Sequence, residues 1–340
     1  MLKRSYIGIL GYMLLCITNL HAQDPNFSQF FSSPLNINPA LTANINADWR
    51  VIANYRTQWL GPASPYITGT ISYDRKVFQH KVAGVKEKNY WGMGGMFMFD
   101  YGMQGIVKST YASYNLLYNI RLSSGNVVSR LGAGFGVIYG NRYVDFNRLT
   151  FQDQFTGSGF NTNLPTGETA LAAMKPYFSG SFGLVYSMST DKSNFDIGVA
   201  DFHFNKPKQT FLSDPNQYLS PRFVAHANFE TYLKEGLILH SNAIYQQQQK
   251  ASYYSFGGGL GYELSTTEEK TIVNAGLWYW SANAIMPYVG LAYRDMQFGV
   301  SYDFTISKLR EAPRMANTFE ISFVLRGKKA PGASVPCPWK

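Results

Sequence analysis

The sequence predicts an all-β chain: a transmembrane, antiparallel, up-and-down β-barrel of about 14 strands. Three observations carry that expectation. Apolar side chains alternate with small or polar ones at period 2 along most of the chain. The alternating segments run to about 9–14 residues, longer than the roughly five or six usual in soluble sheets and close to the roughly 9–11 that a tilted membrane strand needs. Aromatic residues make up 16% of the chain and charged residues only 15%, against about 25% charged in a soluble domain.

The first residues are set aside before the fold is read. Lys3 and Arg4 precede a mostly apolar run from Ile7 to Leu20, and His21-Ala22-Gln23 offers a small residue for cleavage. This layout is that of a secretory signal peptide over residues 1–22, since the run falls short of the roughly 20 residues of a helical span. Cys16 has Leu15 before it, where a lipoprotein signal carries a small residue. Cys337 is then the one cysteine of the processed chain, so no internal disulfide and no cysteine metal site is expected. The formal net charge is +9, but the basic residues are scattered as turn and rim charges, which argues against a nucleic-acid partner.

Fourteen strands are expected, at 49–60, 65–74, 90–101, 108–121, 127–140, 175–187, 193–204, 221–233, 236–248, 252–264, 270–281, 284–293, 295–305 and 317–326. Within 127–140 the odd positions Leu131, Phe135, Val137 and Tyr139 form an apolar face against Arg130, Gly132, Gly134 and Gly136. Phe178, Phe182 and Leu184 do the same in the next strand, Phe223 and Phe229 in the eighth, and Phe319, Ile321 and Phe323 in the last. The rings of Trp49, Trp59, Tyr90, Trp91, Trp278 and Trp280 stand near segment ends, where a barrel places its interfacial girdles. With both termini on one side of the membrane, odd-numbered connections should be long and even-numbered ones tight. The order holds from the fourth connection onward, with 141–174 and 205–220 long. It fails early: Gly61 to Ser64 is short and 75–89 is long, so either the first hairpin is misread or a loop intrudes on the turn side. Residues 49–326 are thus the barrel, and 327–340, with three prolines, a tail beyond it.

Polar faces supply the candidate functional residues. Arg56, Arg121, Arg130, His226, Glu230 and His240 all fall on predicted inward faces, where charges neutralise one another, hold a plug or filter solutes. His226 and His240 lie on neighbouring strands and are expected close together. The chain carries no Gly-x-Ser-x-Gly elbow and no His-Glu-x-x-His. A hydrolase would require a Ser/His/acid cluster at one rim. No enzyme activity, cofactor or metal is expected. The in-strand glycines read as room for large neighbours in a crowded lumen, not as phosphate cradles.

Residues 23–48 stand apart. Pro25, Pro34 and Pro39 deny them a regular ladder, while Phe27, Phe30 and Phe31 give them apolar anchors. This lead-in either folds into the barrel as a plug, with Phe30 and Phe31 as wedges, or serves as a periplasmic strap.

Asp24-Pro25-Asn26-Phe27-Ser28-Gln29-Phe30, then Asn38-Pro39-Ala40, then Tyr55-Arg56-Thr57-Gln58-Trp59, then Ser72-Tyr73-Asp74, resembles the start of the PorP/SprF family of outer-membrane proteins. The ending Pro336-Cys337-Pro338-Trp339-Lys340 is similar to that family's short Cys-Pro terminus, which more often closes Cys-Pro-Arg-Phe. The resemblance implies a non-enzymatic outer-membrane barrel of type IX secretion or gliding machinery. It implies partners among outer-membrane lipid, a large secreted surface adhesin, and other components of the apparatus in the periplasm and outer membrane. The same barrel physics also suits a channel for small or hydrophobic solutes.

Overall fold

The computed structural model describes residues 24–59, 64–78, 89–123, 126–166, 174–209, 217–264, 271–281, 283–311 and 316–329. The signal-peptide expectation, Cys337 and the tail from residue 330 lie outside the described residues.

Fourteen antiparallel strands form one closed barrel, each paired with its sequence neighbours and β14 closing on β1. They are β1 (Ala47–Gln58), β2 (Tyr66–Val77), β3 (Tyr90–Gly102), β4 (Val107–Arg121), β5 (Val128–Val144), β6 (Tyr177–Ser189) and β7 (Ser193–Phe202), followed by β8 (Arg222–Lys234), β9 (Leu237–Gln248), β10 (Ala251–Glu263), β11 (Thr271–Trp280), β12 (Ala284–Tyr293), β13 (Met296–Thr305) and β14 (Thr318–Lys329). Closure leaves no unpaired strand edge, the condition for a sheet to stand in hydrocarbon.

Alternation sets the two faces. Phe135, Phe178, Phe182, Leu184 and Phe298 point outward and are 45–65% exposed. Their strand neighbours turn into the lumen and are buried. No helix among the described residues is long and apolar enough to cross a membrane.

The structure decides between the two alternatives left open for the first hairpin, and three details differ from the sequence reading. β1 pairs directly with β2, and β2 with β3, so the first hairpin is real and the long connection after Val77 is an addition on the turn side. β5 continues four residues further than expected, to Val144, and β14 to Lys329, beyond the expected end at residue 326. In β5 the polar pair Asn141-Arg142 interrupts the apolar alternation before the strand ends, although both still pair with β4.

The other two differences concern rings and histidines. Trp278 is 2% exposed and Tyr90 3% exposed; both face the lumen, as does Trp280, over which the Arg56 guanidinium lies at 5.1 Å. Trp91, 45% exposed, does face outward. A ring near a strand end suits an interface only if its parity points outward. The register places Glu230, not His226, opposite His240, with His226 opposite Ile244. The two histidines are therefore offset by four residues along the strands, about 13 Å.

Candidate functional site: the occupied lumen

The segment 24–46 lies inside the barrel. Its prolines break it into short pieces: a 3-10 turn at Phe30–Ser32, one α-turn at Pro34–Ile37 with Pro34 at its first position, and a second 3-10 turn at Pro39–Leu41. Proline suits the first turn of a helix, whose N–H has no partner anyway. Nearly every side chain from Phe27 to Asn44 is buried, and the contacts reach strands right round the circumference.

Three polar clusters hold this segment. The first lies at the end of the barrel that carries the long connections. The Asp24 carboxylate sits 2.8 Å from Nε2 of His203 and 3.1 Å from Nε of Arg222, and its main-chain N–H donates to the Gln248 side chain at 3.0 Å. Burial works against charge on Asp24, but His203 and Arg222 outweigh it and hold the carboxyl well below the usual carboxylate range. Arg222 also donates to the Asn36 carbonyl at 3.0 Å.

The second cluster joins the segment to β1, β13 and β14. Arg56 donates to the Asn26 carbonyl and lies 3.8–3.9 Å from Glu320 and Asp303. Glu320, fully buried, accepts the main-chain N–H groups of Ser28 and Gln29 at 2.8 and 2.9 Å. Ser28 donates to Asp303. The Gln29 side chain donates to Ser301 at 2.9 Å and accepts from Ser322 at 2.7 Å.

The third cluster is at the opposite end. Arg50 and Asp74 form a buried bidentate pair, and Asp74 also accepts the Ala43 N–H at 2.9 Å. Asn44 donates to Ser187 and Asp196. Between the ends, the Asn38 amide donates to the Leu184 and Val199 carbonyls at 3.1 Å and lies 3.0 Å from His226. Phe31 packs its ring 4.9 Å from Trp278 and 5.6 Å from Tyr288.

Wall glycines make space for this passage. A Cβ on Gly134 would collide with the main chain at Pro39 and Ala40, and one on Gly183 with the Asn38 side chain. Gly92 similarly faces Thr42 and Ala43. Two gaps beside the segment measure about 40 and 30 Å³, room for water but not for a solute of ordinary size.

The sequence-derived candidates divide accordingly. Asp24, Gln29, Phe31, Asn38, Arg56, Asp74 and His226 meet in the lumen as contacts between segment and wall. Pro25 accepts a bond from Asn36. Phe27 belongs to a second apolar cluster with Met98, Tyr111, Tyr177 and Leu219, and Phe30 packs edge-on to Phe31. Glu230 and His240 pair with each other at 2.9 Å, and His240 reaches Asn274. Arg130 lies over Tyr90 and bonds Asn119. Arg121 is at the turn-side rim, donating to the Ser123 carbonyl. Tyr55 and Tyr73 face outward, 42% and 44% exposed; Trp59 packs against Tyr66, Gln58 ends β1, and Ser72 is half-buried on the inner face. Arg50, His203, Arg222, Asp303 and Glu320 were not singled out from the sequence. Lone acids and bases on inward parity were the only signal: Asp24, Ser28 and Gln29, which meet His203, Arg222, Asp303 and Glu320, lie 179 to 292 residues away, whereas Arg50 meets Asp74 at a separation of 24.

A Ser/His/acid contact does exist. Ser179 Oγ is 2.6 Å from His203 Nδ1, whose Nε2 meets Asp24. Ser179, however, is 1% exposed and does not border the adjoining gap. In this geometry the relay ties Asp24 to β6 and the end of β7.

These features define a class: a fourteen-stranded outer-membrane barrel whose lumen is filled by its own amino-terminal segment. The profile of the family described as type IX secretion system membrane protein PorP/SprF matches residues 19–325, and the chain belongs to that family. No curated protein matches the sequence. Among solved structures, the TodX deltaS2S3 mutant monoaromatic hydrocarbon channel is similar at TM-score 0.50 and 9% identity, covering 86% of this chain and 93% of that one. The Ralstonia pickettii toluene transporter TbuX aligns at TM-score 0.45 and 8% identity, over 87% and 94%. CdiB from Escherichia coli aligns at TM-score 0.44 and 9% identity, over 81% of this chain but 62% of its own length. At such identities the likeness is one of fold.

Proposed function

We propose that this barrel assists the export or surface anchoring of a large secreted adhesin by protein–protein contact, as part of type IX secretion or gliding machinery, and that residues 24–46 act as its plug. The observation that carries the reading is the filled lumen. While the interior is bonded to its own segment at both ends, the outer surface and loops of the barrel are the face that a large protein can reach. The long connections 145–176 and 203–221 would then face the cell surface and the exported protein, with the other machinery components reached from the periplasm and the surrounding membrane. Within the first of these, Phe155 and Phe160 pair their rings 5.1 Å apart while remaining more than half exposed, as loop residues that bind partners often do. No catalytic role enters this reading.

The experiment is capture of the secreted adhesin from native membranes by the tagged barrel, with and without residues 150–166. Loss of capture on trimming supports the proposal; undiminished capture refutes the role given to the loop. Loss of solute uptake without loss of a surface protein in a deletion strain would instead favour a channel.

A further inference from the structure

Many of the contacts that hold segment 24–46 fall on its main chain. Arg56, Asn54, Arg50 and Arg222 donate to the carbonyls of Asn26, Ser32, Leu41 and Asn36. Glu320 and Asp74 accept the N–H groups of Ser28, Gln29 and Ala43. Such contacts are available to any peptide of similar path. They resemble the way extended peptides are held in a groove, with main-chain bonds giving affinity and a few pockets giving selectivity. The Gln29, Asn38 and Asn44 amides add side-chain bonds to the wall, and two pockets select by charge and by ring: the cationic pair His203 and Arg222 for a carboxylate, and the Trp278–Tyr288 cleft for a ring seven residues further on, where Asp24 and Phe31 sit.

We infer that the lumen is a peptide-binding groove, and that segment 24–46 is a tethered occupant which a second peptide with a carboxylate and an aromatic ring seven residues later replaces. The groove is preformed by the closed sheet and does not depend on the resident for its hydrogen-bonded frame. The resident runs covalently into β1 at Ala47, and Asp24, at the other end of its described residues, is held by non-covalent contacts. A short tether gives it an effective concentration on the order of millimolar. A free peptide therefore competes once one or both of the resident's selective anchors are weakened.

The test uses the full chain in detergent micelles and a fluorescent synthetic peptide with the sequence of residues 24–41. The Asp24→Asn, Phe31→Ala double variant should bind this peptide saturably, at least tenfold tighter than a scrambled peptide and at least tenfold tighter than the unsubstituted protein does. Peptide binding should also raise the thermal midpoint of the double variant. Oxidising a Gln29→Cys, Ser301→Cys pair, added to that double variant with Cys337→Ser, should abolish uptake by fixing the resident in place. If the double variant fails to fold, Asp24→Asn alone keeps the Phe31 packing and serves in the same titration. Binding indistinguishable from the scrambled peptide, or unaffected by the oxidised lock, overturns the inference. Either result leaves the adhesin-capture experiment to stand or fall separately.

Discussion

Arg50 and Asp74 stand opposite each other in the β1–β2 register, joined by hydrogen bonds of 2.6 and 3.1 Å, and neither reaches solvent. Asp74 also caps Ala43, so one wall pair fixes the point where the lumenal segment leaves for β1. Breaking a buried pair leaves a buried charge uncompensated, which costs about 3–5 kcal/mol. Asp74→Ala should destabilise the barrel by that order in detergent unfolding. Arg50→Ala with Asp74→Ala together should cost clearly less than the sum of the two single variants. Additive losses would mean that the pair is not coupled.

Gly134 faces the Pro39–Ala40 main chain with no room for a side chain. Gly134→Val should therefore push residues 39–41 off the wall while leaving the outward face untouched. The reconstituted protein should show higher single-channel conductance than the unsubstituted one. Gly159→Ala, where a Cβ meets open space, is the control and should leave conductance unchanged. Deleting residues 24–40 should open the lumen further; an unaltered conductance in that variant would remove the plug.

Most of the barrel could be read in the sequence because period-2 alternation between hydrocarbon and lumen is a local signal. Phe135 and Gly134 announce their faces without knowledge of any partner. What could not be read was where the lead-in goes. His203 and Arg222 are unremarkable until Asp24 is placed between them, and nothing near residue 24 in sequence indicates that. Trp278 shows the same limit from the other side. A tryptophan near a strand end suits both an interfacial girdle and a cleft for Phe31, and only its inward parity and the ring beside it decide.

Phe31 fills the space between Trp278 and Tyr288. Truncation of a buried ring to Ala typically costs about 3–5 kcal/mol. Phe31→Ala should lower stability by that order and alter the emission of Trp278, which is 2% exposed and so dominated by its packing. Phe31→Leu should recover much of the stability. A spectrum unchanged by Phe31→Ala would place the ring elsewhere.

The Asp24 latch has a predictable dependence on acid. Burial raises the carboxyl and the His203 and Arg222 contacts lower it, with a net shift downward. A depressed carboxyl stabilises the docked segment fully above the ordinary carboxylate value of about 3.9. That contribution is lost as pH falls below this value, through the lower docked one. Cysteine placed at Asn26 should thus stay protected from a dipyridyl disulfide, which modifies thiols even in acid, in its Asp24-dependent part, from pH 8 down to about 4. Acid pulses below that range, followed by fast labelling, should expose it. Asp24→Asn should raise labelling at neutral pH and remove the acid-dependent step, because no carboxylate is left to titrate. An acid step of unchanged size in Asp24→Asn would assign the response to another group in the lumen.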